Sequence, residues 1–559
     1  MDSYQKLFDV SSGTIEGNFL FVRNEKSEEV RNDVLLKVEQ NSLESLVVID
    51  TIQRLGLDYL FQDEIESILQ HHFLATKSAI YNDDLYKASL CFRLLRQQGY
   101  QVHADDIFGE FMDEDGGFKF KDGVNYSDTK GVLALYEASH LSMEGEEILN
   151  EAAICSYQYL NDKLTCFDHE DQVKMVKHCL LYPQHKSLAH FMAKDFIQSL
   201  NGQYGWEILL QELAELEFAS LESLHKHEIL QVVNSRSCAK DMSISGDFDI
   251  IRRQWWKGLG ISKQLKSSRD QPLKWHMWSM ATLCDPRWSK HRTLLTKPIS
   301  LVYAVDDIFD LYGTLEQLTL FTEAINQWDI SAAEMLPGYM KTCFMAIYDT
   351  TDEITRMVSQ EHGWNPAEFL KKEWKSLLNA FLMEAKWFTS GELPKAEEYL
   401  KNGVISSGVV MVLAHLFFLI NGTALTNETQ VLLDDSQGIT YSVAKILRLL
   451  DDLGSAQDEQ QEGYDGSYVE CYMEEHDVHS LESAHKHVMA MVSDTWENLN
   501  NHCLSSTSPF PSSFRNACLN AARMVPTMYS HDKNHRLPVL EHHIKSMLQD
   551  TTFRKSILG

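Results

Sequence analysis

Two runs of carboxylates carry the chemistry this chain could do. The first reads Val305-Asp306-Asp307-Ile308-Phe309-Asp310, and the second runs from Leu450-Asp451-Asp452-Leu453 through Gly454-Ser455-Ala456-Gln457-Asp458-Glu459. Residues four apart on an α-helix lie above one another on one face. Asp306 and Asp310 therefore stack, while Asp307, rotated by about 100°, is left to orient its neighbours or hold water. Asp451, Ser455 and Glu459 form a stripe of three oxygen donors, with Arg448 on the same face just before them. Hard oxygen donors at this spacing suit Mg²⁺, which takes few protein carboxylates and completes its shell on phosphate and water. A guanidinium beside such donors points to a shared anionic ligand, because Arg pairs bidentately with phosphate oxygens. Either run alone could be an acidic helix surface, since the chain has 81 Asp+Glu. Two faces turned toward each other would instead hold a Mg²⁺ cluster and, through it, a diphosphate.

The aromatic residues supply a second kind of environment. Trp255, Trp256, Trp275, Trp278, Trp288, Tyr303 and Phe309 are expected to gather near the first acidic run. Most should be ordinary core, but a π face also stabilises a carbocation when water is excluded. A metal–phosphate environment beside an aromatic one fits ionisation of an allylic diphosphate. One half stabilises the leaving pyrophosphate and the other shelters the cation.

These side chains need helices to hold them. Apolar residues recur at helical spacing, as at Val48, Ile52 and Leu55 and again at Leu377, Phe381 and Ala385, and alternating patterns are scarce. The reading is all-α. The apolar run Ile299–Val305 makes the first carboxylates emerge from a buried helix, which is costly unless something pairs them. At 559 residues the chain exceeds one ordinary core, so two helical domains are expected, at 1–221 and 222–559. The first ~20–25 residues read as a poorly ordered strap. Leu213–His227 reads as a helix crossing into the second half, and the pattern breaks at Cys238–Asp249, where Ser, Gly and Asp are enriched. Gly403–Ile420 carries no charged residue and is long enough to cross a bilayer. It contains Ser406, Ser407, Gly408 and His415 and stands alone, so it reads as a buried central helix rather than a membrane span.

Charge and cysteine usage narrow the partners. A net charge of −31 offers no positive field for nucleic acid or an anionic membrane, whereas a diphosphate can be bridged by metal. Ten cysteines without CxxC spacing argue against a zinc site or a disulfide framework. The first residues lack an apolar run, and Asp2, Asp9 and Glu16 oppose a transit peptide. A cytoplasmic monomer is expected, or a plastid protein should a transit peptide precede this sequence.

The chain resembles the plant class I terpene synthases almost end to end. Asp84–Tyr100 (DLYKASLCFRLLRQQGY) looks like that family's N-terminal helical signature. The second half carries Trp255-Trp256-Lys257, a DDxxD motif at Asp306, Asp307 and Asp310, Tyr312-Gly313-Thr314, and a second motif of the form (N/D)DxxSxxxE. The resemblance implies a structural, α-barrel-like N-terminal domain and a C-terminal class I terpenoid synthase helical bundle around a cavity. It implies three Mg²⁺, with Mn²⁺ as a possible substitute: Asp306 and Asp310 would bind two ions, and Asp451, Ser455 and Glu459 the third. Arg448 and Arg269 would contact the diphosphate, and Trp278 would line the pocket. Ser406, Ser407 and Gly408 match a helix break whose carbonyls face the substrate, and Tyr529 and Asp532 match an aromatic and an acid near the lid.

Departures from the family pattern refine the expectation. An Arg-x-Arg pair often precedes the first aspartate motif, and here the position reads Arg269-Asp270-Gln271. A neutral amide replaces one guanidinium, so the departing diphosphate should be held less firmly. Arg269–Trp275 (RDQPLKW) resembles the acyclic-product subfamily, which includes linalool and nerolidol synthases. No tandem-Arg-then-Trp motif opens the chain, and no DxDD motif appears in its first half. The expected reaction is ionisation of geranyl or farnesyl diphosphate and addition of water at C3 to give an acyclic tertiary alcohol. A cyclising or olefin-forming synthase would share every metal ligand and stays open. A chain-elongating prenyltransferase would carry two DDxxD motifs, and a non-catalytic helical protein would release no pyrophosphate.

Overall fold

The computed structural model describes residues 15–548 except 77–83, 114–115, 119, 121–125, 168–169, 201, 234–254, 267, 392, 422–430, 432, 434, 436–437, 459–466 and 530–537. Among the described residues the regular structure is helical. An isolated antiparallel bridge between Met112 and Phe118 is the closest approach to a strand.

The chain divides into two compact units, residues 1–222 with 500–508 and 549–559, and residues 223–499 with 509–548. The first unit opens on helix α1 (Ile15–Val30), so ordered structure begins inside the stretch read as a strap. Its centre is α2 (Leu43–Arg54), where Val48, Ile52 and their neighbours face a core shared with α3 (Leu85–Gln97). Asp84 caps α3 by accepting from Lys87 N at 3.1 Å. The signature arginines are buried ties in this unit. Arg93 pairs with Asp50, and Arg96 bonds Glu146 Oε1 at 2.7 Å and the Leu141 carbonyl at 3.3 Å. The break read at Cys238–Asp249 lies outside the described residues, and α4 (Glu207–Val233) runs through Leu213–His227 as one helix.

In the second unit, α5 (Pro272–Thr282) packs along α6 (Ser289–Asp307). A buried ion network anchors the pair. Arg292 holds both oxygens of Glu228 at 2.9 and 2.5 Å and donates to the Leu283 and Asp285 carbonyls. His276 of α5 lies 3.3 Å from the same carboxylate. Glu228 is 1% exposed, and its carboxyl is nonetheless held far below the usual range by His276 and Arg292 against the opposing effect of burial. The remaining helices of the site are α7 (Ala367–Ser390), α8 (Ala396–Ser406), α9 (Val409–Ile420), α10 (Ile439–Asp458) and α11 (Ser512–Tyr529). Helix α10 packs against α8, α9 and α11, and α6 against α9.

The uncharged run Gly403–Ile420 is long and apolar enough to cross a membrane, and it is mostly buried within the unit. It is two helices rather than one. The chain turns at Gly408, whose φ of +73° is left-handed. A Cβ there would stand 2.6 Å from Val302 of α6. Both the backbone conformation and the close approach require glycine. Gly408→Ala is therefore expected to cost roughly 1–3 kcal/mol and to displace α6 next to its aspartates. A thermal melt that fell together with activity would show the coupling; an unchanged melting temperature would contradict it.

Candidate active site

Helix α6 ends on Asp306 and Asp307, and the chain then widens into a π-helical turn, Ile308–Tyr312, closed by Gly313 N to the Ile308 carbonyl at 2.9 Å. The DDxxD run is thus not one regular α-helical face, as its i, i+4 spacing implied. The π turn re-aims the third aspartate relative to the first two, and Asp310 lies exposed while Asp306 is half-buried and Asp307 is 3% exposed.

Arg269 solves the cost of bringing these carboxylates out of a buried helix. Its backbone N and its Nε each donate to Asp307 at 2.7 Å, its Nη2 donates to Asp306, and its guanidinium lies 5.0 Å from the centre of the Tyr303 ring. Burial pushes the Asp307 carboxyl up and Arg269 pulls it back. Asp307, read from sequence as the member of the motif that orients its neighbours, is the clamp that seats Arg269.

The second cluster is organised the same way. Arg448 Nη2 donates to Asp451 at 2.9 Å, and its Nε lies 2.9 Å from Asp452 Oδ1 without hydrogen-bond alignment. That Nε is a buried donor still lacking a hydrogen bond. Asp452 is 2% exposed and also accepts from Tyr468 N at 2.8 Å. Gly403 lets α8 close on the arginine stem, since a Cβ there would meet Arg448 Cδ at 2.7 Å. The Asp451 carboxyl is pushed up, first by burial and then by the charge of Asp306, against Arg448, Lys274 and Arg269. The two aspartate clusters therefore lie in one electrostatic field. The Ser455 side chain, Glu459 and Asp532 lie outside the described residues.

The walls are aromatic. Trp278 Nε1 donates to the Tyr303 hydroxyl at 3.3 Å, and its ring lies 6.4 Å from that of Tyr529. Trp275, fully buried, stacks on Tyr303 at 5.9 Å, and Phe309 stacks on Phe381 at 5.4 Å. Burial pushes the Tyr303 and Tyr529 phenols up. Trp288 does not join this group. It precedes α6, whose 19 residues put it ~27 Å from the aspartates, and it packs edge-on against His291.

Ser406 and Ser407 do not simply present hydroxyls to a pocket. Ser406 Oγ donates to Glu384 Oε1 at 2.6 Å, and Ser407 Oγ donates to the Val404 carbonyl at 2.7 Å. Glu384 is a site residue that sequence reasoning missed, because it sits in α7 beside the apolar positions Phe381 and Ala385 with no motif around it. It also accepts from Asn402 Nδ2 at 3.2 Å. Burial, with a smaller contribution from the Asp306 charge, pushes its carboxyl up to about 7 against Arg448 and Ser406. A raised carboxyl makes the fold lose stability as pH rises from the unfolded value toward the folded one. Metal-free protein should thus weaken between about pH 4.5 and 7, by roughly 1–3 kcal/mol. Glu384→Gln should remove that loss and melt higher than the parent at pH 8, with the gap closing near pH 4.5. Parallel melting curves for the two proteins across this window would refute the assignment.

Among the described residues, no three His, Cys, Asp or Glu side chains converge into a metal site by themselves. The donors still fit Mg²⁺: they are hard carboxylate oxygens, and the repulsion between Asp306 and Asp451 is what a divalent cation would offset.

Two aspartate clusters in one helical unit, each braced by a guanidinium and with aromatic walls beside them, fit a helical protein that would bind metal and an anionic ligand. Residues 257–498 match the metal binding domain of the terpene synthase family, and residues 7–180 match the terpene synthase N-terminal domain. The chain belongs to the terpene synthase family, whose members are lyases. It is 46% identical to an (E)-nerolidol synthase of Cannabis sativa, over 92% of this chain and 90% of that one. It is 43% identical to the S-(+)-linalool synthase of Arabidopsis thaliana, over 90% and 84%. It is 42% identical to a tricyclene synthase of Antirrhinum majus, over 94% and 86%. Isoprene synthase of grey poplar, solved with three Mg²⁺ ions and dimethylallyl-S-thiolodiphosphate, superposes with a TM-score of 0.83 at 30% identity, covering 95% of this chain and 98% of that one.

Proposed function

We propose that this terpene synthase ionises geranyl or farnesyl diphosphate and adds water at C3, giving linalool or nerolidol. The observation that carries the reading is Gln271. It stands exposed at the N-cap position of α5, its uncharged amide making no capping bond, where the family often has a second guanidinium. The nerolidol and linalool synthases among its relatives support the same product class.

Asp306 and Asp310 would hold Mg²⁺ from one side and Asp451, Ser455 and Glu459 from the other, with Mn²⁺ as a substitute, and bound metal supplies the positive charge that stabilises departing pyrophosphate. Arg448 and Arg269 orient the diphosphate by bidentate contact. Asp307 and Asp452 keep those guanidinium groups in place. As the C1–O bond breaks, the allylic cation spreads over C1 and C3. Trp278, Tyr303 and Tyr529 face it with π density and exclude bulk water. Without a guanidinium at position 271 beside that of Arg269 the diphosphate is held less rigidly, so the cation is captured before it is steered into a ring. A single water adds at C3, and the released diphosphate takes the proton.

The helix break at Ser406, Ser407 and Gly408 would turn backbone carbonyls toward the substrate, and Tyr529 borders the same pocket beside Trp278; Asp532, the acid matched to the family's lid, lies outside the described residues. The enzyme works as a monomer in the cytoplasm, or in a plastid if a transit peptide precedes this sequence; a fluorescent fusion of the natural precursor would decide the compartment. Incubation with each prenyl diphosphate and Mg²⁺, followed by chiral gas chromatography, tests the product. Linalool or nerolidol as the main product supports the proposal, and a cyclic main product overturns it. The tricyclene synthase relative favours that second reading, a cyclising synthase with the same ligands.

A further inference from the structure

We propose that Lys274 is a further cation for the substrate diphosphate beside Arg269 and Arg448, supplying from inside α5 the charge that Gln271 lacks; this rests on the prenyl diphosphate reading above. Gln271 stands exposed at the N-cap position of α5, and Lys274, one turn further on, is half-buried. Lys274 and Trp278 are i and i+4 on this helix and share a face. Trp278 on that face meets Tyr303 and Tyr529, so the lysine sits on the side of α5 that borders the aromatic walls.

Its charged surroundings agree with that placement. The groups that act on the Lys274 ammonium are Arg269, which braces the first aspartate cluster, and Asp451, the first acid of the second. A charge from each cluster therefore acts at the lysine. Burial and the like charge of Arg269 push its pKa down, and Asp451 only partly offsets them. Asp451 in turn gives its direct contact to Arg448, at 2.9 Å. Among the described residues, Lys274 has neither a hydrogen bond nor an ion pair. A half-buried ammonium beside a guanidinium is unfavourable unless an anion joins them, and a diphosphate is the anion this site receives.

A lysine is not an equivalent of the missing arginine. Its ammonium is a compact point charge, whereas arginine's planar fork fixes the direction of a phosphate. Lys274 would thus restore the attraction for diphosphate without restoring its orientation. Affinity is kept while the departing group stays loosely aimed, in keeping with early capture by water.

The test is inhibition by inorganic pyrophosphate, measured with KM and kcat on the Mg²⁺-loaded full chain. Lys274→Met is expected to weaken pyrophosphate inhibition ~10-fold and to raise KM more than it lowers kcat. Lys274→Arg should stay within about twofold of the parent for pyrophosphate inhibition. Gln271→Arg placed in the Lys274→Met background should recover most of the loss. Lys274→Gln repeats the measurement should the methionine variant fail to fold. Equal losses in the Met and Arg variants, or inhibition within about twofold of the parent in Lys274→Met or Lys274→Gln, would overturn the proposal while the prenyl diphosphate reading stood. Should the parent itself release no pyrophosphate from any prenyl diphosphate, both would fall together.

Discussion

Asp306→Ala is expected to lower kcat by roughly three orders of magnitude while the protein folds and melts almost as before. Asp306 stands half-buried at the last turn of α6, where it takes one of the contacts of Arg269. Removing its carboxylate leaves Arg269 seated on Asp307 through two bonds at 2.7 Å. The fold therefore loses little. The site loses a carboxylate whose charge acts across to Asp451, and with it a donor for the metal that the mechanism requires. Pyrophosphate release from geranyl and farnesyl diphosphate, followed at several Mg²⁺ concentrations, measures the loss. Near-parental turnover in the variant would remove the metal assignment.

Arg448→Met should fail in a different way, losing stability and catalysis together. Arg448 is the charge partner of Asp451 and of the almost fully buried Asp452. Taking away one member of a buried pair leaves the other uncompensated, at a cost of about 3–5 kcal/mol. The methionine also leaves α8, which closes on the Arg448 stem at Gly403, against a side chain of different shape. In the reaction the variant loses a bidentate contact to the diphosphate, so kcat/KM should fall by about 10²-fold or more. Arg448→Lys should recover part of the melting temperature and little of the activity, because an ammonium replaces the charge and not the fork. Calorimetry of metal-free protein alongside steady-state kinetics separates the two losses. A variant melting within a degree of the parent would show that Arg448 carries no such structural load.

The two predictions differ because the two acidic clusters, similar in sequence, are built differently. Each is braced by an arginine, but Arg269 comes from 37 residues away in the chain, whereas Arg448 lies on the same helix as its aspartates. Spacing alone made Arg448 legible, since i, i+3 neighbours on a helix must meet. For Arg269, family resemblance pointed to the diphosphate, and nothing in the spacing pointed to Asp306 and Asp307. The pairing depends on how the segment before α5 folds back on the end of α6.

The all-α reading, the apolar faces of α2 and α7, and the identity of the aspartate runs were legible because helical periodicity and ligand type are local properties. So was the break at Ser406-Ser407-Gly408, through resemblance, although the uncharged run around it reads as one continuous helix. Other features were not legible in the same way. The π turn at Ile308–Tyr312 moves Asp310 off the regular face, and no period in the sequence announces it. Glu384 carries no motif and becomes a site residue only because α7 and α8 bring it to Ser406 and Asn402. Trp288, near the first motif in the count of residues, is separated from it by the length of a helix.

The sequence by itself determined which atoms this protein can offer: oxygen donors at helical spacing, guanidinium groups, aromatic rings and the helices that carry them. Only the tertiary structure decided which of them share a field, which carboxylate each arginine braces, and which carboxyls burial pushes up. The physical reason is range. Helix formation and ligand identity are fixed within a turn or two of chain, whereas burial and Coulomb interaction depend on distances through space between segments far apart in the chain.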